Sequence, residues 1–408
     1  MVLLETFGHL KKFLSPPKAV IDNIVHVMHY RWTTMLFMAS CTLVSLSQFF
    51  GNPIQCITND EVKPFTEKFI NTYCWIQSTF SVKTAWNKTI GVDIPYPGID
   101  KHLNDEQIVY HAYYQWVGII LFIQGVTFYL PHALWKQKES GRIAKLKLNL
   151  DKIFFNNENE RREQLKSVAE YFLNHQNRFY FTDWPLNWFI VAEIGQFVNI
   201  IVQICLIDKF LGGYFHQYGP DIYRFITDYN NEHMNPMVRV FPRVTKCTFR
   251  MFGSSGTLER HDTMCILSIN IVNEKIYVCL WFWLYLLAII TGLSLIYRLL
   301  ILFNQNFRSK RIQKQINFDD SLPHYRIDFI IQHLTIDQWF TLNLLLKNID
   351  PINGYELLLM MEKILKISSN HHHHHMNGQD FHSKISQPSY DQMEMDSGNV
   401  DDEKMKIT

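Results

Sequence analysis

The chain has 408 residues, with 39 Lys and Arg against 38 Asp and Glu, a formal net charge of +1 and a mean hydropathy of −0.09. Charge so nearly balanced gives no reason to expect nucleic acid as a partner. The average conceals a segregated layout, in which four long stretches almost free of charge alternate with strongly charged segments.

Residues 1–31 read as a cytoplasmic segment. Leu3, Phe7, Leu10 and Leu14 recur at three- and four-residue spacing, which predicts an amphipathic helix ended by Pro16 and Pro17. No short apolar core with a cleavage site follows, so the first span is expected to stay as an anchor. Trp32 to Asn59 contain no Asp, Glu, Lys or Arg, and a transmembrane helix is predicted over 32–51. Its Ser40, Thr42, Ser45, Ser47 and Gln48 suit a wet wall or close helix packing. An outer loop follows over 52–111, where Asp60 and Glu61 read as solvated charges. The second span is predicted over 112–131, inside the charge-free run Gln107 to Trp135. Tyr110, Tyr113, Tyr114 and Trp116 at its start fit an interfacial aromatic belt, and Pro131 fits a static bend.

A cytoplasmic loop is assigned to 132–183 and a third span to 184–207. That span is broken only by Glu193, which lies with Gln196, Asn199 and Gln203 at helical spacing on one face. A carboxylate within lipid marks function by default, and a pH-sensing role is one hypothesis. Hydrogen bonding between helices needs the same inward stripe and is the preferred reading. The second outer loop spans 208–275. A strand and turn are expected over 236–256 and a return strand over 265–272. The fourth span covers 276–297, a helical cytoplasmic region 298–367, and a disordered tail 368–408. Amphipathic helices are predicted over 158–172 and 337–366, packed together as a cytoplasmic dome. His371–His375 read as a low-complexity insertion, with metal binding as the alternative.

Sidedness follows from charge. Residues 132–183 hold ten Lys or Arg, whereas 51–111 hold five Lys against seven Asp and Glu. Positive charge beside spans marks the cytoplasm, which puts both termini and the middle loop inside. The N-x-[ST] sequon at Asn87 falls in the first outer loop as a candidate glycosylation site. Of seven cysteines, Cys56 and Cys74 lie in one outer loop and Cys247 and Cys265 in the other; none lies in a cytoplasmic segment. Cys56 and Cys265 are both close to the membrane, and Cys74 and Cys247 both farther out. Matching heights favours Cys56–Cys265 with Cys74–Cys247, while pairing within each loop remains the competitor.

The pentapeptide Tyr113-Tyr114-Gln115-Trp116-Val117 resembles the signature of innexins, the invertebrate gap-junction proteins related to pannexins. So do "NPIQCI" from Asn52, "TYCWI" from Thr72, "FPRVTKCTF" from Phe241, "NIVNEKIYVCLWFW" from Asn270 and "LLLKNIDP" from Leu344. The blocks fall in order over residues 20–355. The resemblance implies an all-α membrane protein with four transmembrane helices, disulfide-stapled extracellular loops containing short β-strands, and a helical cytoplasmic domain. It also agrees with the cross-loop cysteine pairing.

Further implications are a ring of copies, homomeric or mixed with other innexins, in the plasma membrane among lipids, and docking of two rings from apposed cells. Ions and small molecules would pass through. The N-terminal helix would then fold into the pore mouth. The alternatives are an undocked hemichannel and a four-span adhesion or receptor protein without a pore. No enzymatic activity, cofactor or metal is expected: no glycine-rich phosphate loop is present, and His26 and His29 stand as a lone pair.

Overall fold

The computed structural model describes residues 19–57, 67–101, 108–150, 158–174, 185–227, 235–316 and 323–382. The expected N-terminal helix and the Asp60–Glu61 pair lie outside these residues. Thirteen helices are labelled here: α1 Ile24–Phe50, α2 Glu67–Gln77, α3 Val117–Glu139, α4 Arg142–Leu150, α5 Glu158–Asn174, α6 Pro185–Phe210 and α7 Phe215–Thr227. They continue with α8 Pro236–Val240, α9 Ser268–Phe303, α10 Gln305–Ile316, α11 His324–His333, α12 Ile336–Leu346 and α13 Pro351–His382. Five strands are β1 Gln55–Cys56, β2 Thr79–Val82, β3 Ile108–His111, β4 Val244–Phe252 and β5 Leu258–Ile266.

Four helices, α1, α3, α6 and α9, are long and apolar enough to cross a membrane. Each packs on the next, and α9 closes back on α1. Glycines bring α1 and α3 together. A Cβ at Gly125 would lie 3.2 Å from Phe37 and Met38, and one at Gly118 would lie 3.5 Å from Ser45 Oγ. The small polar residues of α1 therefore serve close packing, at least at Ser45. Outward, the bundle leaves Leu43, Leu46, Ile119, Phe122, Val198, Leu286, Ile289 and Leu293 exposed. Apolar surface on that scale requires lipid or neighbouring protein around it.

The element ends explain several departures from the sequence reading. The second span starts at Val117 rather than 112, because Tyr113–Gln115 form a 3₁₀ turn, and it runs to Glu139 with Pro131 inside. It stops where Ser140 and Gly141 adopt positive φ, and the Glu139 carboxylate then accepts from the Gly141 and Ile143 amides to start α4. Residues 236–240 are helical, not strand, since Asn235 caps the Met237 amide and Pro236 occupies the first turn. The return strand is Leu258–Ile266; the apolar run from Ile269 belongs to α9. The helix expected over 337–366 is two helices, divided before Pro351. Helix α13 continues to His382, past the point at Ser368 where disorder was expected. Extending an existing helix costs less than nucleating one, so the polar residues after Ile367 can follow it.

The buried side chains form two main clusters. One joins the spans to the sheet end through Phe37, Phe128, Ile204, Tyr218, Phe241 and Tyr277. The other joins the opposite ends of α3, α6 and α9 to α4, α5 and α10–α13 through Trp135, Phe189, Ile301, Trp339 and Leu357. At Gly219 of α7 a Cβ would stand 2.2 Å from the Trp281 ring, whereas at Gly292 of α9 the nearest atom, on Phe197, is 3.6 Å away. Gly219→Ala is expected to cost about 1–3 kcal/mol through forced movement of the indole. Gly292→Ala should be near neutral; thermal midpoints of the two purified variants measure the difference.

Candidate functional site

At one end of the bundle both long loops contribute to a single sheet, ordered β1-β5-β4-β2-β3 and antiparallel at every pairing. Strands β1, β2 and β3 come from the first long loop, and β4 and β5 form a hairpin from the second. Disulfides cross between the loops, Cys56 to Cys265 and Cys74 to Cys247. The first joins directly paired residues of β1 and β5, and the second ties α2 to β4. The remaining cysteines, Cys41, Cys205 and Cys279, are free.

The pentapeptide acquires a physical role here. Tyr114 is fully buried against Trp75, with ring centroids 4.8 Å apart, immediately beside Cys74. Gln115 donates to the Trp75 carbonyl, holding the end of α2. Tyr113 meets Phe241 at 5.8 Å and Phe210 at 6.3 Å, both edge-on. Val117 is buried as α3 begins, and Trp116 points outward. Trp116 and Tyr110 stay exposed, while Tyr113 and Tyr114 are drawn inward by Trp75, Phe241 and Phe210.

Two of the motif blocks meet through charge. Arg243, from "FPRVTKCTF", holds Glu274, from "NIVNEK", with contacts of 2.8 to 3.1 Å, and Glu274 is 0% exposed. Asn270 donates to the Pro242 carbonyl at 2.7 Å, and Tyr218 donates to the Glu274 carbonyl. Together these fix the base of the β4–β5 hairpin to the start of α9. The hairpin then extends to a turn at Gly253–Gly256. Beside it, Phe252 and Leu258 are paired across the strands and are 73% and 62% exposed. Asn87 is exposed in a 3₁₀ turn after β2, near the far side of the sheet from β1.

The intramembrane polar residues divide between neighbours. Glu193, 4% exposed, accepts from Arg298 Nε and Nη2 at 3.0 and 2.8 Å and from Asn23 Nδ2 at 2.9 Å. Gln203 donates to Thr127 Oγ1 at 3.0 Å and to half-buried Asn199 at 3.3 Å. Gln196 is buried one turn from Glu193. Glu193 and Gln203 thus bond to neighbouring segments inside the bundle, while Gln196 is buried there with no hydrogen-bond partner among the described residues. Sequence reasoning missed Arg298 as a partner because it was assigned to the cytoplasm, yet α9 continues past it.

A link on the opposite side also escaped the sequence. Asn348, inside "LLLKNIDP", accepts from the Val20 amide at 2.6 Å and donates to the Val20 carbonyl at 2.9 Å. It fastens the chain before α1 to the helical region formed by the last part of the described chain.

Four spans, a sheet stapled across both loops and a helical region at the other end define a multi-pass membrane protein with a rigid extramembrane platform. A family model for innexins matches residues 22–365. The sequence is 40% identical over 353 residues to innexin inx2 of Drosophila melanogaster, covering 86% of this chain and 93% of that one. It is 38% identical over 367 residues to innexin inx2 of Schistocerca americana, covering 89% and 99% respectively. Against innexin inx3 of Drosophila melanogaster it is 37% identical over 342 residues, with 84% of each chain covered. The chain belongs to the innexin family, a family of gap-junction channel proteins.

Two outcomes are expected from the charges. Arg298→Met strands the Glu193 carboxylate in the bundle and should cost on the order of 3–5 kcal/mol, with Glu193→Gln in the same chain restoring part of it. Thermal midpoints in detergent test this coupling. In the sheet, Ser81 Oγ and His111 Nε2 share a 2.8 Å hydrogen bond, and burial pushes the His111 imidazole down from 6.5 to about 4. Between those values the unfolded chain binds a proton that the folded chain refuses, so stability falls as pH falls from 6.5 toward 4. The loss is expected to reach roughly 3 kcal/mol. His111→Gln should flatten the pH dependence of the unfolding midpoint over that window.

Proposed function

We propose that copies of this chain form a ring around an aqueous pore in the plasma membrane and that two rings from apposed cells dock through their sheets. Ions and small molecules then pass from cell to cell. The carrying observation is the sheet: two loops from different spans are covalently joined into one platform, and that platform presents an apolar hairpin tip. The tip stands roughly 27 Å along β5 from Ile266, at about 3.4 Å per residue. Exposed apolar pairs of this kind are suited to burial against a partner. The sheet end is extracellular and both termini are cytoplasmic in this reading, in accord with the positive residues beside the other span ends and with the oxidised cysteines.

The ring consists of this chain alone or of this chain with other innexins. The outward apolar faces of the spans serve contacts between subunits and with lipid. An undocked ring acts as a hemichannel. Asn87 bears on the balance, because a glycan at that exposed position would stand on the platform. Its place beyond β2, away from the β4–β5 tip, supports docking with the glycan at the side.

Phe252→Asp with Leu258→Asp is expected to abolish dye transfer between paired expressing cells. Dye uptake by single cells should persist. Equal loss of both would show that the tip serves folding or assembly instead of docking, and unchanged transfer would remove it from the interface.

A further inference from the structure

We propose that Asp22, His26 and His132 bind one zinc ion at the end of the bundle opposite the sheet. Asp22 lies just before α1, His26 in its first turn, and His132 in the last third of α3. Asp22 Oδ1 is 3.5 Å from His132 Nδ1 and 3.9 Å from His26 Nδ1, and the three atoms lie within 4.8 Å of one another. The imidazoles are enclosed, at 0% exposure for His26 and 5% for His132.

None of these three atoms has a hydrogen-bond partner, and neither has His26 Nε2. Buried donors and acceptors are paired almost everywhere in folded proteins, so several converging orphans require an explanation. A proton-bridged triad does not provide one, since 3.9 Å is too long for a hydrogen bond and 3.5 Å lies beyond the usual range. A metal does. Two imidazole nitrogens and one carboxylate oxygen form a set that zinc favours, with bonds of about 2.0–2.2 Å. Tetrahedral geometry then puts neighbouring ligand atoms about 3.3–3.5 Å apart. The Asp22–His132 separation already matches, and the Asp22–His26 separation needs to contract by about 0.5 Å.

The rings are already aimed. His26 stacks on Phe189 at 4.7 Å and His132 stacks on Tyr30 at 3.6 Å, with planes within 7° and 10° of parallel. Such stacking fixes ring orientation, a task otherwise given to outer hydrogen bonds around a metal. Charge is also compatible. The nearby Arg298 is neutralised by Glu193, so the Asp22 carboxylate remains to face the ion. The Asp22 side chain is itself only 8% exposed, so the three ligand atoms converge in an enclosed site. The ion would tie the entry of α1 to α3, next to the Val20–Asn348 link. This inference does not depend on the channel reading.

The five histidines at 371–375 are a competing site, so the test uses the full-length protein carrying H371S, H372S, H373S, H374S and H375S. The purified protein is incubated with zinc chloride, dialysed and analysed for metal by mass spectrometry. One zinc per chain is expected, falling to none with Asp22→Asn or His132→Asn added. His132→Cys should retain the metal and, with cobalt in place of zinc, add a thiolate-to-metal charge-transfer band. That band reports ligation directly even if the asparagine variants fail to assemble. Absence of zinc from the five-serine protein, equal zinc in a folded His132→Asn variant, or no such band in His132→Cys would overturn the proposal.

Discussion

The two cross-loop disulfides are the constraint on which the rest of the sheet end depends. They close segments of 209 and 173 residues, each containing the second and third spans. Closing a loop that long removes on the order of 5 kcal/mol of chain entropy from the unfolded state in the polymer description. Location matters as much as magnitude. Cys56–Cys265 lies where α1 leaves the bundle and α9 enters it, so the first and last spans are held in register at that end. Cys74–Cys247 draws α2 over β4, and the YYQWV segment then packs its tyrosines beneath that bridge. A sheet built from three short pieces of one loop and a hairpin of another could not hold its order by backbone pairing alone, because β1 contributes only Gln55 and Cys56.

Buried charge follows the same logic of pairing before enclosure. Glu274 is enclosed only because Arg243 reaches it with a two-nitrogen contact, and Glu193 only because Arg298 and Asn23 do. Such pairs add little stability over an apolar replacement, but each tolerates only one arrangement of its elements. Arg243–Glu274 sets the angle between hairpin and α9. Glu193–Arg298 sets the sliding position of α6 along α9. For Glu193–Arg298, enclosed within the bundle, water is removed as an alternative partner, which makes that choice stricter.

Much of this was legible in the sequence because lipid imposes a coarse code. Long uncharged runs located all four spans, and cysteine heights favoured the pairing that is present. What stayed hidden depended on contacts between distant segments. Arg298 looked cytoplasmic since its neighbours Arg308, Lys310 and Arg311 are charged, and no local signal identifies Glu193 as its partner. Tyr113 and Tyr114 have the composition of an interfacial belt; only the presence of Trp75 and Phe241, brought in by the loops, turns them inward. Helix α2 was missed within a region read simply as loop, and His26 looked isolated because His132 approaches it from another helix.

The Val20–Asn348 link gives the helical region a mechanical connection to the first span. The Val20 amide and carbonyl both bond one side chain, so the chain entering α1 cannot shift without breaking a paired contact. Asn348 itself donates to the Leu344 carbonyl at 2.8 Å and is held just past the end of α12, whose Leu342, Leu344 and Leu345 are buried in the cluster opposite the sheet. Asn23 continues the connection: it caps the first turn of α1 and donates to Glu193, which holds Arg298 on α9. Entry of the first span is thereby tied to the third span, to the fourth span and to the helical region within a few residues. A continuous run of hydrogen bonds thus joins the end of α12 to the chain entering α1. Residues 1–18 attach at that point, which makes it the place where a change in the helical region would most directly reach the N-terminal segment.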